Sequence, residues 1–478
     1  MNGSVFNRVF SLRIWIAIAI LLTELVFLNY RLDAGLAVLL SSATLTAALL
    51  LQLRYAVRED SSTPADIAVF IFNWLFLDLA PKIQLMTAAQ QLVNTSSASE
   101  DGIAITNLVC AAFIVLFTGF YAFLAGRKSS PAPAAAAPDL PVARPPAIPA
   151  SGVAITLLVC IVAVAGVAPL VYHSVDDQVE ITPKLLILNR YLLFLPAAAL
   201  LILLQETLRL PGKVWFTRVC TLGLLLLLVL VTENPYLEKR NALGPLYLCL
   251  ILVGFQGWLN SRTRRMLLLV GGMVIVFPAI SVFTHNKSQG LLDVSFAQMA
   301  ERIEEYYFSI NYDAWANVYT SVEVVAKHGC QWGHQLIGSL FFFVPSSLWT
   351  TKPLSTGIFL GYYLINHYGM WFTNLSAPLV AEGYLDFGWA GVALYAGVLA
   401  FLVNLLNNLA RRADRWVNLP LAMYGSMFLV FLMRGSLMVA VGFAAGAFLS
   451  FATASMLLSV RVGLRREPLE LPASYARN

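Results

Sequence analysis

The residues that could do chemistry in this chain are few: three arginines, a small set of acids and the histidines. Arg190 lies six residues past Lys184 in an apolar run, about 9 Å inside the end of that run by helical rise. Arg240 stands in TENPYLEKRNALGP (232–245) and Arg434 in MRGSL, each at the edge of an apolar stretch. An arginine at membrane depth is costly, so it snorkels to the interface, pairs with an acid or lines a cavity. Glu233, Glu238 and Asp78 are the candidate acids for such a pair. The functional alternative is an anionic headgroup, because guanidinium forks grip phosphate oxygens in bidentate fashion and never lose their charge. Two or three of them on one side could clamp a lipid-linked diphosphate and stabilise it as a leaving group.

The other polar chemistry is concentrated in residues 285–387, which hold His285, His328, His334 and His367; only His173 lies elsewhere. The stretch 294–328 carries Glu301, Arg302, Glu304, Glu305, Asp313 and Glu323 among aromatic and apolar residues, and reads as amphipathic helices at the interface. GSLFFFVPSSLWTTKPLSTG (338–357) is too broken by Pro345 and Pro353 for a straight span and suits a re-entrant or interfacial hairpin. TNLSAPLVAEGYLDFGWAG (373–391) then brings Asn374, Ser376, Glu382 and Asp386 to the entrance of the next apolar run. Asp313 reads as a group that orients a sugar hydroxyl or pairs with Arg302. The histidines of KHGCQWGHQ (327–335) follow no metal-ligand spacing and read as solvated loop residues. Cys110, Cys160, Cys220 and Cys249 sit in apolar runs and Cys330 in a polar one, with no CxxC pair; neither a metal cluster nor a disulfide framework is indicated.

The elements that must position these groups follow from composition. Of 478 residues, 59% are hydrophobic and only 12% charged, about half the charged share of a soluble domain. Mean hydropathy is +0.74. A water-soluble enzyme, a disordered scaffold and a nucleic-acid binder are excluded, and an all-α polytopic membrane protein is expected. A crossing needs about 20 apolar residues. Suitable windows fall near 12–30, 34–53, 65–82, 103–125, 152–172, 184–205, 216–232, 243–260, 265–284, 388–408, 418–434 and 437–460, so about twelve spans. The first lacks a small-residue cleavage site before the second and reads as a retained helix.

Twenty of the 31 Lys and Arg fall in alternate loops counted from the N-terminus, ten on the other side, and Arg190 within a span. That bias predicts cytoplasmic termini. The organisation is then spans 1–4 over 1–125, a Pro/Ala-rich cytoplasmic linker at 126–151, and spans 5–9 over 152–284. The outer segment 285–387, spans 10–12 over 388–460 and a cytoplasmic tail at 461–478 complete it. A structureless loop the length of 285–387 would be unusual, so this segment should fold and carry function. No internal repeat of the kind that builds a transporter from matching halves is evident.

FFFVPSSLWTTKPLSTG (341–357) followed by NLSAPLVAEGYLDFG (374–388) resembles the Wzy-type oligosaccharide repeat-unit polymerases of bacterial surface polysaccharides. KRNALGP (239–245) and LMRGSL (432–437) look like the arginine-bearing segments of the same family. The resemblance covers roughly 230–440, with the earlier spans similar in pattern only. It implies a GT-C-like, inverting, metal-independent glycosyltransferase of the inner membrane that works on the periplasmic face and needs no cofactor. Such an enzyme moves a growing glycan from undecaprenyl diphosphate onto the non-reducing end of a second lipid-linked unit. Its partners would be the lipid-linked oligosaccharide, inner-membrane lipid, a flippase and a chain-length regulator. Arg240 and Arg434 look like family arginines, with Glu382, Asn374 and the Trp349–Pro353 region as the substrate-facing loop. Family members often carry an arginine after the proline of VP-x-S-x-W, where this chain has Ser346; Lys352 or Arg190 would then supply the charge.

Glycosyl transfer needs a base for the acceptor and charge to match the departing diphosphate. Glu382, Asp313, Asp386, His328 and His334 are the candidate bases, with Glu382 preferred for its motif and Asp313 and His334 next. The bland reading of Glu382 is a carboxylate at a helix N-terminus. Trp315, Trp332, Tyr362, Tyr363, Tyr368 and Trp371 read mainly as an interfacial aromatic belt. An O-antigen ligase-like transfer to lipid A core and a polysaccharide transporter or flippase are the competing functions. Glu24 and Asp78 are the features that speak for transport, and a structural role suits them.

Overall fold

Apolar sequence becomes helix almost throughout the computed structural model, which describes residues 12–58, 60–87, 91–126, 147–176, 189–209, 215–234, 240–276, 306–412 and 415–461. Helix occupies most of the described part of each of the twelve apolar windows, although the 243–260 window turns after Gly254. The first half contains α1 (Leu12–Tyr30), α2 (Leu36–Tyr55), α3 (Ala65–Trp74), α4 (Ala80–Thr87), α5 (Glu100–Gly126) and α6 (Ala150–Asp176). Then come α7 (Leu195–Thr207), α8 (Trp215–Thr232), α9 (Arg240–Gly254) and α10 (Arg262–Gly271). The last part contains α11 (Ala314–His328), α12 (His334–Leu340), α13 (Thr356–Tyr368), α14 (Leu379–Arg411), α15 (Asn418–Arg434) and α16 (Leu437–Leu458). Among the described residues seven helical stretches, rather than the twelve expected, are long and apolar enough to cross a membrane, as a polytopic membrane protein requires. Phe216–Thr232, Leu243–Gly254 and Asn418–Arg434 are shorter apolar helices.

Their surfaces say what surrounds them. α1 turns Ile16, Ile20, Glu24 and Phe27 inward and leaves Leu21, Leu22, Leu25 and Val26 exposed. Such an apolar outer face suits hydrocarbon, where a helix satisfies its own backbone polar groups. α3 is buried along its whole length, at the centre of the helices. It continues through a wider π-turn, Leu75–Leu79, into α4. Pro81 follows that turn and has no N–H to complete a regular α-helical ladder. The turn places Asp78 inside, where Lys82 bonds to it and also reaches Glu24 at 2.7 Å and Thr46 Oγ1 at 2.8 Å. Ser42 and Thr46 donate to the same Glu24 oxygen at 2.9 and 3.0 Å. Asp78 is therefore the partner of a lysine, not of one of the three arginines. Glu24 and Asp78 belong to a network that ties α1, α2 and the π-turn together.

Loops meet one another in two groups, at opposite ends of the helices. At one end Arg262 donates to the Thr63 carbonyl (2.9 Å), Arg411 to Ser62 (3.0 Å) and Ser151 to the Val460 carbonyl (2.9 Å). At the other end Arg31 donates to the Leu85 carbonyl (3.1 Å), Glu100 accepts from Gly35 N (3.1 Å), and Tyr319 joins Ser97 and Ser99.

The outer segment departs from expectation at one point. α11 does not lie on an interface: Ala314 through Val322 are all buried, and the helix packs against α5 and α14. Its polar residues face protein partners. Asn94 donates to Asn317 Oδ1 (2.8 Å) and to Thr320 (2.9 Å), and Thr320 also meets Ser96 (2.8 Å). Hydrogen bonds inside protein satisfy the groups that an amphipathic reading assigns to water. The 338–357 stretch, by contrast, is a short helix and turns with Phe341, Phe343 and Leu348 exposed, as an interfacial hairpin would be.

Candidate functional site

Arg434 ends α15, and only Gly435 and Ser436 separate it from α16. This turn is held from three directions. The Arg434 carbonyl accepts from Ala377 N (3.1 Å), Ser436 Oγ accepts from Gly357 N (2.8 Å), and Glu382 Oε1 accepts from Leu437 N (2.7 Å). The segment before α14 reaches the turn by lying on the glycine face of α13. A Cβ at Gly357 would stand 2.1 Å from the Leu375 carbonyl oxygen, and one at Gly361 would stand 2.3 Å from that of Thr373. Small residues four apart on a helix permit such contact with backbone.

That approach delivers Ser376 to Asp313 at the start of α11. Ser376 Oγ donates to Asp313 Oδ1 at 2.6 Å and its backbone N to Oδ2 at 3.1 Å. Asn317, one turn along α11, donates to Asp313 Oδ2 (2.8 Å) and to the Ser376 carbonyl (2.8 Å). Arg434 Nη2 stands 3.8 Å from Asp313 Oδ1. A guanidinium, a carboxylate and a hydroxyl thus converge at the end of the helices that carries the outer segment. The Arg434 guanidinium also faces the Phe76 ring, 5.8 Å from its centroid. Phe76 stacks on Tyr312 (5.1 Å), and Tyr312 on Tyr307 (4.7 Å). Burial, with Tyr307 and Tyr306 beside it, pushes the Tyr312 hydroxyl above its ordinary range, so this wall is neutral.

The remaining predicted residues divide. Asn374 is exposed two residues before Ser376 and belongs to the same rim. Glu382 is fully buried, with Oε1 engaged at the α16 N-terminus, so its position is that of a brace beneath Arg434. Asp386 has the same kind of position on another helix. It accepts from Gln335 N and Leu336 N (3.1 Å each) at the start of α12, and from Tyr395 (2.9 Å). α14 breaks its regular geometry immediately afterwards, at Phe387 and Gly388, where Gly388 has φ +59°. The expected entrance of the tenth span is this kink.

His334 is exposed at the first residue of α12, away from the hydrogen bonds around Asp313. Lys352 donates to the Phe342 and Val344 carbonyls (2.7 and 2.9 Å), and burial lowers its pKa. It staples the hairpin to itself, which leaves less of its charge for a substrate. Trp349 Nε1 donates to Thr351 within the same turn (3.1 Å).

Arg190 occupies a second place. Its guanidinium stacks 3.9 Å from the centroid of Phe443 on α16, and it lines a small cavity with Glu233 and Tyr424. Phe443 lies six residues into α16, about 9 Å below the Arg434 turn by helical rise. Phe431 packs on Phe443 (5.3 Å) and precedes Arg434 by one turn of α15. Arg240 begins α9, and its side chain lies outside the described residues, as do Arg302 and Glu238.

Sequence reasoning missed Asn317, Asn94 and Phe76. Asn317 had a signal: it is four residues from Asp313, which puts both on one helical face. Among the described residues, no group of three or more His, Cys, Asp and Glu is placed to hold a metal ion. No family model matches this chain, and neither the curated proteins nor the solved structures contain a match to it.

Proposed function

We propose that the chain is an inverting membrane glycosyltransferase that polymerises undecaprenyl-diphosphate-linked oligosaccharide units on the periplasmic face of a bacterial inner membrane. What supports this reading is one juxtaposition: Arg434, Asp313 and Ser376 together at the end of the helices opposite the basic loops. A diphosphate leaves readily once its charge is matched, and an arginine fork matches it with two parallel hydrogen bonds. Arg434 would take that part, with Arg190 deeper along α16 as a second cation.

The acceptor hydroxyl approaches Ser376. As its oxygen bonds to the donor's anomeric carbon, the bond from that carbon to the diphosphate oxygen breaks on the opposite face. The hydroxyl proton passes to Ser376 Oγ while Ser376 gives its own to Asp313, along a contact that is already 2.6 Å long. Arg434 receives the departing negative charge. In this scheme Glu382 keeps the Arg434 turn in place and does not touch the reacting atoms.

The test is deletion of the gene followed by electrophoresis of the surface glycan. Lipid A core bearing a single repeat unit supports polymerisation. Core with none, and polymer accumulating on the lipid carrier, indicates a ligase. Unchanged glycan overturns both.

A further inference from the structure

At the end of the helices with the basic loops, remote from Arg434, a cavity of about 330 Å³ opens between Arg58, Asp60 and Ser61 on one side and the ends of α5 and α14 on the other. Its floor is a closed hydrogen-bond relay. Asn407 donates to Tyr121 Oη (3.1 Å), Tyr121 to Ser61 Oγ (3.2 Å), and Ser61 to Asp66 (3.0 Å). Asn407 Oδ1 in turn accepts from Thr63 N and Oγ1 (2.9 and 3.0 Å), and Arg262 pairs with Asp66. The floor is therefore saturated and rigid.

The walls differ. Arg58 and Arg411 flank Asp60. Arg58 grips Asp60 with Nε and Nη2, both at 2.9 Å, and Arg411 is anchored to Ser62 Oγ through Nε at 3.0 Å. The Asp60 side chain is 61% exposed, so it is a carboxylate at the mouth, and it shows the Arg58 fork accepting a planar anion. The Asn404 amide completes the wall. By sequence the loops at this end carry Arg58, Arg262, Arg264, Arg265, Arg411, Arg412 and Arg415 against Glu59, Asp60, Asp66 and Asp414, a basic surplus that offsets the partial negative charge of the helix C-termini there. A cavity near 300 Å³ is the lower range for small-molecule sites and suits a headgroup better than a large ligand.

We infer that this cavity binds a phosphate-bearing anion, either the headgroup of an anionic phospholipid at this face or a free phosphate species. Basic pockets at helix ends on a cytoplasmic face are the places where anionic headgroups are recognised. The phosphate would bridge Arg411 and Arg58 above the relay, with Asn404 donating to a third oxygen and Asp60 swinging out into solvent.

The experiment uses the full chain in detergent. Retention of phosphatidylglycerol and of phosphatidylcholine is read by native mass spectrometry, and the unfolding temperature is measured with and without millimolar inorganic phosphate. The variants are Arg411→Gln, which removes charge, and Asn404→Leu, which fills the cavity and leaves both arginines intact. At least tenfold preference for phosphatidylglycerol, reduced fivefold or more in each variant, establishes the lipid source. A rise in unfolding temperature with phosphate that both variants lose, without a lipid preference, establishes the free anion. Equal retention of both lipids with no phosphate effect overturns the inference. So does binding in both variants at the wild-type level.

Discussion

Arg434 Nη2 lies 3.8 Å from Asp313 Oδ1, so a cation from the α15–α16 turn and a carboxylate from the start of α11 oppose one another beside the Ser376 hydroxyl. The contact is longer than a hydrogen bond, so the two charges face each other as an ion pair. Asp313 is held independently of Arg434, by Ser376 and Asn317.

Replacing Arg434 by alanine should reduce turnover by about 10²- to 10³-fold, the loss typical of one electrostatic group aimed at developing charge. Arg434→Lys should recover only part of it, because an ammonium cannot grip two oxygens in one plane. Glycan chain length on a gel and transfer between lipid-linked units in membranes measure both. Wild-type polymer in Arg434→Ala removes the diphosphate clamp.

Asp313→Asn preserves shape and most hydrogen bonds but removes the proton acceptor, and should cost about 10² or more in rate. Ser376→Ala should fall between Asp313→Asn and the wild type, because water can replace the hydroxyl in the relay. Donor retention, assayed separately with radiolabelled lipid-linked unit, should survive in both. Full activity in Asp313→Asn rejects the relay.

Glu382 separates a brace from a base. Glu382→Gln keeps an oxygen for Leu437 N and should retain most activity, whereas Glu382→Ala leaves the start of α16 uncapped and should cost about 1 kcal/mol or more. Thermal unfolding in detergent, run beside the transfer assay, distinguishes the two. A stable but inactive Glu382→Gln would restore this residue to the chemistry.

Lys82→Met should be among the most damaging changes in the chain. It strands Glu24 and Asp78, both buried, without their shared cation, at a cost of about 3–5 kcal/mol. Adding Glu24→Gln and Asp78→Asn should recover much of that loss. No recovery in unfolding temperature would mean that the network does not carry the stability assigned to it.

Acid should loosen the contact between α11 and α13. Burial opposes the charge on Glu323, but hydrogen bonds from Lys327 (2.5 Å), Tyr368 (2.5 Å) and Tyr363 (3.1 Å) prevail and hold its carboxyl below the ordinary range. A depressed carboxylate stabilises the fold above its unfolded pKa of about 4.3, and that contribution is lost as pH falls through the lower folded value. Amide protection factors in α13, that is exchange rates referred to the intrinsic rate at each pH, followed from pH 6 down to about pH 3, should fall in the wild type and stay flat in Glu323→Gln.

Much of the helical scaffold was legible because apolar length is a strong signal. The boundary at Phe387–Gly388 was legible too, since the polar run stops there and the apolar run starts, but the continuation of α14 through it as a kink was not. α11 was not. Periodicity gives the polar face of a helix but not what that face meets, and here Asn94 and Ser96 from a distant loop supply what water would have supplied. Glu382 shows a related limit of spacing: an acid at the mouth of a helix can serve its own helix, a substrate or a neighbouring helix, and its Oε1 accepts from the first amide of α16. The Arg434–Asp313–Ser376 grouping depends on three separate segments meeting, which spacing alone does not encode.

Gly357 and Gly361 carry a practical lesson for anyone scanning this region by mutagenesis. Neither presents a functional group, yet one added methyl at either would lift the chain that brings Ser376 to Asp313. Both should therefore register as essential positions in an unbiased screen, and a catalogue of hits ranked by severity would mistake scaffolding for reactive groups. Severity there measures clearance between two backbones.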